Sequence, residues 1–457
     1  MQTEETGVRS VFRIDKDLRL TSWLFLKLLA LIFLAAFLSL YGQIAGLVGP
    51  NGILPLGEFQ DYLVRSYGRE AWWWLPSIFW LDNSEAALQW ATLAGAGLSL
   101  TLLLGVVPRL SLLLMTLIYL SLYQAAQIFL NFQWDYLLLE MGILAIFLVR
   151  GPGWLVLLLF HWLLFRLRFL SGISKLLSGD PSWQGFTTLN YYFETQPLPH
   201  VGSWYAHQLP EWLLQAGTML VLFSELVVPF FIFLPRRLRI FAALLTIAIQ
   251  SAIIATSNHN FVNLLTILLC LLLLDDRIVG RVLPGWLKHR ITREGEPAPL
   301  PLSSRFTQAA LALLIFGVSL TSSYRMIGGS VPGELQWLVN LGPRLGIGNV
   351  YHIFPTMQTE RQELEIEGSG DGVVWKPYIF KYKPGPVDRA PPFIVPHQPR
   401  LDWMIWFMPP QSANMQGWFE RFLYRLWQNE PAVTALLEHN PFADEQPKYL
   451  RVLVYRY

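Results

Sequence analysis

The strongest constraint on this chain is a succession of apolar segments long enough to cross a bilayer. Thr21–Val48, Glu85–Val107, Leu110–Leu130, Asp135–Val149, Trp154–Leu170, Leu213–Leu234, Leu238–Thr256, Phe261–Leu274 and Phe306–Ser322 are dominated by Leu, Ile, Val, Ala and Phe. A hydrocarbon core about 30 Å thick takes about 20 such residues in a helix. Lipid offers no partners to backbone N–H and C=O groups, so runs of this length read as helices. They make about nine spans, some short enough to be tilted or half-buried. Only 14% of the 457 residues are charged, against roughly a quarter in soluble domains, which excludes an ordinary soluble protein. Thr21–Val48 is longer than a signal-peptide core and no small-residue cleavage pattern follows it, so it reads as an uncleaved span.

The expected fold class is therefore a polytopic α-helical membrane domain followed by a mainly β extracytoplasmic domain, a small sandwich. The expected domains are a cytoplasmic N-terminal tail (residues 1–20), a helical transmembrane domain (21–322) with an aromatic loop at 171–212, and a soluble β-rich C-terminal domain (323–457). In the last, Gln362–Glu367 alternates Leu364 and Ile366 with glutamates, a strand pattern. Gly368–Gly372 is a turn, Val373–Tyr382 a second strand and Tyr449–Tyr457 a third. Gly417–Gln428 and Pro431–Glu438 look helical. Gly295–Pro301 is a Pro-containing linker before the last span.

Charge gives the orientation. With a cytoplasmic amino terminus (Arg9, Arg13, Lys16, Arg19), the loops at Arg109, Arg150, Arg236–Arg239 and Asp275–Arg293 fall on that side, while those near Asn131–Trp134 and Ser257–Asn260 carry no Lys or Arg. Arg166, Arg168 and Lys175 break the rule, which points to a local reason for these cations. The net charge of +2 leaves no nucleic-acid footprint. The single cysteine, Cys270, permits no intramolecular disulfide and no cysteine-based metal site. No metal is expected.

The breach begins the stretch Arg166–Trp212, too polar and Pro/Gly-rich to span and too aromatic for a plain linker. Such rings suit a membrane interface or a pocket roof. Its candidate site residues are Asp180, Trp183, Tyr191, Glu194, His200, Trp204 and His207. Lys175, in G-I-S-K-L, either snorkels to the headgroups or sits desolvated, where a lysine can serve as a base. Glu140 and Glu225 lie within spans, where ionisable groups are costly and mark candidate function; the alternative is a carboxylate bonded to a neighbouring helix. Asn258, His259, Asn260 and Asn263 read as caps and interhelical glue. His200 and His207 lack an acidic residue at ligand spacing and are weak as a metal pair. No phosphate loop, G-x-S-x-G or H-E-x-x-H is present.

The chain resembles the lipase maturation factor family. The resemblance lies in N-F-Q-W-D-Y-L-L-L-E (Asn131–Glu140), N-Y-Y-F-E-T-Q-P-L-P…S-W-Y-A-H-Q-L-P (Asn190–Pro210) and N-H-N-F-V-N-L-L-T (Asn258–Thr266). It continues in E-I-E-G-S-G-D-G-V-V-W-K-P-Y (Glu365–Tyr378), F-K-Y-K-P-G (Phe380–Gly385) and P-P-F-I-V-P-H-Q-P-R-L-D-W (Pro391–Trp403). It implies a multi-pass membrane protein that assists folding or assembly of secreted lipases, or of other exported proteins, into active form. The family's known members reside in the endoplasmic reticulum. Short loops and one cysteine suit a bacterial member, with the C-terminal domain outside the inner membrane. The partners so implied are a client protein and the bilayer, with no cofactor; Phe393, His397, Arg400, Trp403 and Trp406 are the client-binding candidates. A shorter likeness stands beside it: G-I-S-K-L-L-S-G-D-P-S-W-Q-G-F (Gly172–Phe186) is similar to a segment of vitamin K-dependent gamma-carboxylases. It implies the alternative of a membrane enzyme using a reduced quinone, with Lys175 as base and Glu140 or Glu225 tuning it. The preceding lysine of that motif is Ser174 here. A lipid or quinone carrier without chemistry is a third reading.

Overall fold

The computed structural model describes residues 18–149, 153–292, 301–408 and 416–456. The N-terminal tail (residues 1–17), Arg150 and the linker at 295–300 lie outside the described residues. Nine helices correspond to the nine apolar segments: α1 (Arg19–Tyr41), α2 (Glu85–Leu104), α3 (Pro108–Ala125), α4 (Gln133–Leu148), α5 (Trp154–Leu177), α6 (Glu211–Leu226), α7 (Arg236–Thr256), α8 (Val262–Leu271) and α9 (Leu302–Met326).

Among the described residues, five of these, α1, α2, α5, α7 and α9, are long and apolar enough to cross a membrane. At about 1.5 Å per residue, the 23-residue α1 reaches about 35 Å. The 16-residue α4 and α6 reach only about 24 Å and the 10-residue α8 about 15 Å. The expected count of nine spans is thus not established. The reason is local: Asn131 and Phe132 precede α4, Pro210 starts α6, and the polar run Ser257–Asn260 interrupts the chain between α7 and α8.

Helix ends follow local chemistry. Ser84 caps α2 by accepting from Ala87 N–H, and Gly105, at φ +82°, ends it in the left-handed region that glycine tolerates. Pro108 opens α3, where a missing N–H costs nothing. Lipid provides little driving force for helix association, so close packing carries it. Phe33 and Phe37 of α1 meet Tyr119 of α3 edge-on, at 5.7 and 5.4 Å.

One end of the bundle gathers the basic loops. Asp276 accepts from the N–H groups of Leu20 and Thr21 at the start of α1. Arg236 pairs with Asp275, and Lys27 donates to Leu102 O near the end of α2. The C-terminal region packs at the other end.

That region is small and contains strands, but it is not a sandwich of two extended sheets. β1 (Gln362–Ser369) pairs antiparallel with β5 (Tyr449–Arg456) along its full length, Gln362 opposite Arg456 and Ser369 opposite Tyr449. β2 (Lys376–Pro377) adds a two-residue edge to β1. β3 (Ile379–Phe380) pairs with β4 (Leu437–His439) in a second sheet. Pro377 lacks the N–H a ladder needs, and the expected strand 373–382 breaks into fragments there. Helices Gln336–Leu345, Arg400–Ile405 and Gln416–Trp427 supply much of the remainder.

Candidate functional site

α5 carries three of the site's charges, and its geometry sorts them. Arg166 and Arg168 are two residues apart, about 200° around a helix, so they face different neighbours. Arg166, 1% exposed, pairs with Glu140 of α4 and donates to Asn349 O at 2.9 Å. Glu140 also accepts from Gly348 N–H at 2.8 Å. Arg168 turns to α6, donating to Ser224 Oγ at 2.9 Å, with a guanidinium nitrogen 3.5 Å from Glu225. Lys175, two turns further on, returns to the Arg168 face and meets Glu225 at 2.7 Å. The structure therefore joins Lys175 to Glu225 and sets Glu140 apart in its own pair.

The ammonium of Lys175 has three hydrogens. Three acceptors surround it: Glu225 Oε2, Ile353 O at 2.8 Å and Ser171 O at 3.3 Å. The Trp183 ring lies 5.0 Å from the nitrogen, a cation–π contact. Lys175 is thus a buried amine held by an ion pair to Glu225 and by two backbone carbonyls.

A cavity opens beside this cluster, between α5, α6, α7, α8 and residues 353–357. Leu167, Leu189, Val221, Ile253, Val262 and Phe354 give it apolar walls. Asn263 lines it and donates to Gln250 Oε1 at 2.7 Å. Tyr192 donates to Ser257 Oγ at 2.9 Å and lies against His259 Nε2.

The aromatic loop roofs this cavity. Asp180 caps the turn Pro181–Gln184 and accepts from Ser182 N–H, Ser182 Oγ–H and Met357 N–H. Partial burial works to raise this carboxyl, but those donors outweigh it and hold it below the usual carboxylate range. Trp183 is buried under Lys175, Tyr191 is half-buried, and Glu194 is exposed, 3.6 Å from His207. His200 caps the helix Val201–His207 through Gly202 N–H at 2.9 Å. Trp204 is 62% exposed. The two histidines thus have separate roles, and among the described residues no group of three His, Cys, Asp or Glu comes together to hold a metal.

Two family models match: the lipase maturation factor transmembrane domain over residues 20–281 and the lipase maturation factor C-terminal domain over residues 347–457. Lipase maturation factor 2 of Xenopus laevis is 34% identical over 96% of this chain and 78% of its own length. Lipase maturation factor 1 of Mus musculus is 32% identical over 96% and 82%, respectively. The chain belongs to the lipase maturation factor family. No solved structure matches it.

In this lipase maturation factor homologue, the segment Pro391–Trp403 is a strap, and most of its client-binding candidates face inward. Arg400 is 1% exposed and grips Asp135 of α4 at 2.6 Å. Trp403 is 3% exposed and packs edge-on against Trp134 at 5.1 Å. His397 Nδ1 lies 3.0 Å from Ser39 Oγ of α1. Trp406 is half-buried and donates to Thr195 O at 2.8 Å. Phe393 is exposed, edge-on to His200 at 5.4 Å. Asn258 is more than a helix cap. It donates to Pro392 O and accepts from Ile394 N–H, reading the strap's backbone.

Sequence reasoning passed over Arg361, which pairs with Glu363 on β1 and donates to the carbonyls of Glu194 and Gln196 in the aromatic loop. It also passed over the Ile353 carbonyl on Lys175. Backbone acceptors leave no trace in a pattern of side chains.

Proposed function

We propose that this chain is a membrane-anchored maturation factor that helps an exported lipase reach its active form. The observation that carries this reading is the match to lipase maturation factors across both the membrane and C-terminal domains, over 96% of the chain. The basic loops at one end of the bundle put that end in the cytoplasm by the positive-inside rule, and residues 323–457 then work outside it. The membrane is the inner membrane of a bacterium or the endoplasmic reticulum.

The architecture suits a rigid platform. Buried ion pairs and the strap fix the C-terminal domain, leaving Trp204, Tyr205 and Phe393 exposed at 62%, 65% and 57%. Exposed rings beside polar groups are the anchors a recognition surface needs. A folding client with unburied apolar surface docks there.

The test is the specific activity of a co-expressed secreted lipase, per milligram of exported enzyme, in cells with the wild-type gene, its deletion, or Trp204→Ser/Phe393→Ser. Deletion and the double variant are expected to lower specific activity without lowering exported mass in proportion. Unchanged specific activity on deletion rejects a lipase client.

A further inference from the structure

We propose that the cavity beside Lys175 and Glu225 binds an anionic single-chain amphiphile, its head on Arg168 and its chain along the apolar walls. Charge is the first argument. The lining residues include two cations, Arg168 and Lys175, and one carboxylate, Glu225. Lys175 is ion-paired to Glu225 at 2.7 Å and donates to Ile353 O and Ser171 O, so the unmatched positive charge rests on Arg168. That side chain is 6% exposed, and its nearest carboxylate contact is the long 3.5 Å approach to Glu225. A buried cation this loosely paired is costly, and an anion against it removes the cost.

Orphaned polar atoms are the second argument. Arg168 Nε, Trp183 Nε1, Asn263 Oδ1 and Glu225 Oε2 are buried, belong to residues lining the cavity, and have no hydrogen-bond partner, although Glu225 Oε2 is ion-paired to Lys175 at 2.7 Å. Two are donors, suited to the oxygens of a carboxylate or phosphate. Asn263 is an acceptor because its amide nitrogen is committed to Gln250, and it suits a hydroxyl near the head. Shape is the third. Leu167, Leu189, Val221, Ile253, Val262 and Phe354 give the cavity an apolar side along which an alkyl chain can lie. A long-chain fatty acid and a lysophosphatidic acid share this chemistry.

The roof makes occupancy consequential. Ile353, Phe354 and Met357 belong to the segment leading into β1, and Lys175 holds that segment by the Ile353 carbonyl. A ligand pressing on Lys175 or Phe354 acts on the seating of the C-terminal domain. This inference goes beyond the maturation reading and does not rest on it, because its test uses no lipase.

The experiment is native mass spectrometry of the full chain in detergent with oleate, oleoyl-lysophosphatidate, oleoyl-lysophosphatidylcholine or monoolein. A photoreactive diazirine fatty acid, mapped by peptide sequencing, runs alongside. One oleate or lysophosphatidate per chain is expected, bound at least about tenfold more tightly than the zwitterionic and neutral probes. Binding by only one of the two anions supports the site and identifies its head group. Arg168→Gln is expected to remove that preference, and Val221→Trp, which fills the cavity, to abolish binding of every probe. Photolabel is expected near Leu189, Val221 and Ile253. Equal binding of all probes to the wild type overturns the proposal. So does label confined to outward-facing residues such as Leu220 and Phe223, a result that needs no variant to fold.

Discussion

Arg400 reaches from the C-terminal domain into the membrane bundle and clasps both oxygens of Asp135, at 2.6 and 2.8 Å. Tyr119 donates to the same carboxylate at 2.6 Å, and Arg400 also donates to Phe129 O at 3.2 Å. Both charged residues are almost fully buried. The clasp is the central rivet between the two halves of the molecule.

Removing one partner strands the other charge away from water, which costs about 3–5 kcal/mol in buried pairs. Asp135→Leu and Arg400→Met are each expected to lower the melting temperature in detergent and to expose the 323–408 region to trypsin. The double variant is expected to be milder than either single change, because no unpaired charge remains. Additive losses in the melting series would reject the clasp.

A second rivet predicts a backbone effect. Gly348 sits at φ +65° and gives its N–H to Glu140, and a Cβ there would lie 2.7 Å from Val318 Cγ1. Gly348→Ala combines left-handed strain with a clash and is expected to cost about 1–3 kcal/mol. Gly370 has open space around it, so Gly370→Ala is the control, within about 0.5 kcal/mol of wild type. Thermal melts of the two variants side by side decide the matter.

Much of this was legible in the sequence, and the misses have physical causes. Apolar run length located the helices, the cost of charge in lipid singled out Glu140 and Glu225, and the breach of the positive-inside pattern singled out Lys175. Their pairing was not legible. Lys175 and Glu225 sit on different helices fifty residues apart, and only the helical phase of Arg166 against Arg168 separates the two ion pairs. Phe393, Arg400 and Trp403 looked alike as surface anchors because composition does not say which side of a strap faces inward. Only Phe393 is exposed among them. The pattern of β1 and β5 was readable from alternation. The second sheet, two and three residues per strand, was too short to carry one.

Acid should loosen the strap. Burial, with Arg400 and Lys381 nearby, pushes His397 down to about 4, against about 6.5 for an exposed imidazole. Between those values the unfolded chain holds a proton that the folded chain lacks. Stability from this group is therefore complete above about pH 6.5 and lost as pH falls toward 4. Melts between about pH 7.5 and 5 should show a smaller drop for His397→Asn, which cannot take the proton. Parallel curves for the two proteins would exclude His397 as the source.

The last prediction separates structure from chemistry at Lys175. Lys175→Ala leaves Glu225 buried with only the long contact to Arg168, and is expected to reduce the amount of folded protein. Lys175→Met together with Glu225→Gln removes both charges while keeping the volume of the site. If the pair is structural, this double variant folds better than Lys175→Ala and supports lipase maturation at close to the wild-type level per milligram of folded membrane protein. If Lys175 transfers a proton in a reaction, the double variant is well folded and inactive, because no substituted group can take its place. Lipase specific activity, normalised to folded protein by size-exclusion chromatography in detergent, distinguishes the two outcomes. The close ion pair with Glu225 and the hydrogen bonds to Ile353 O and Ser171 O favour the first.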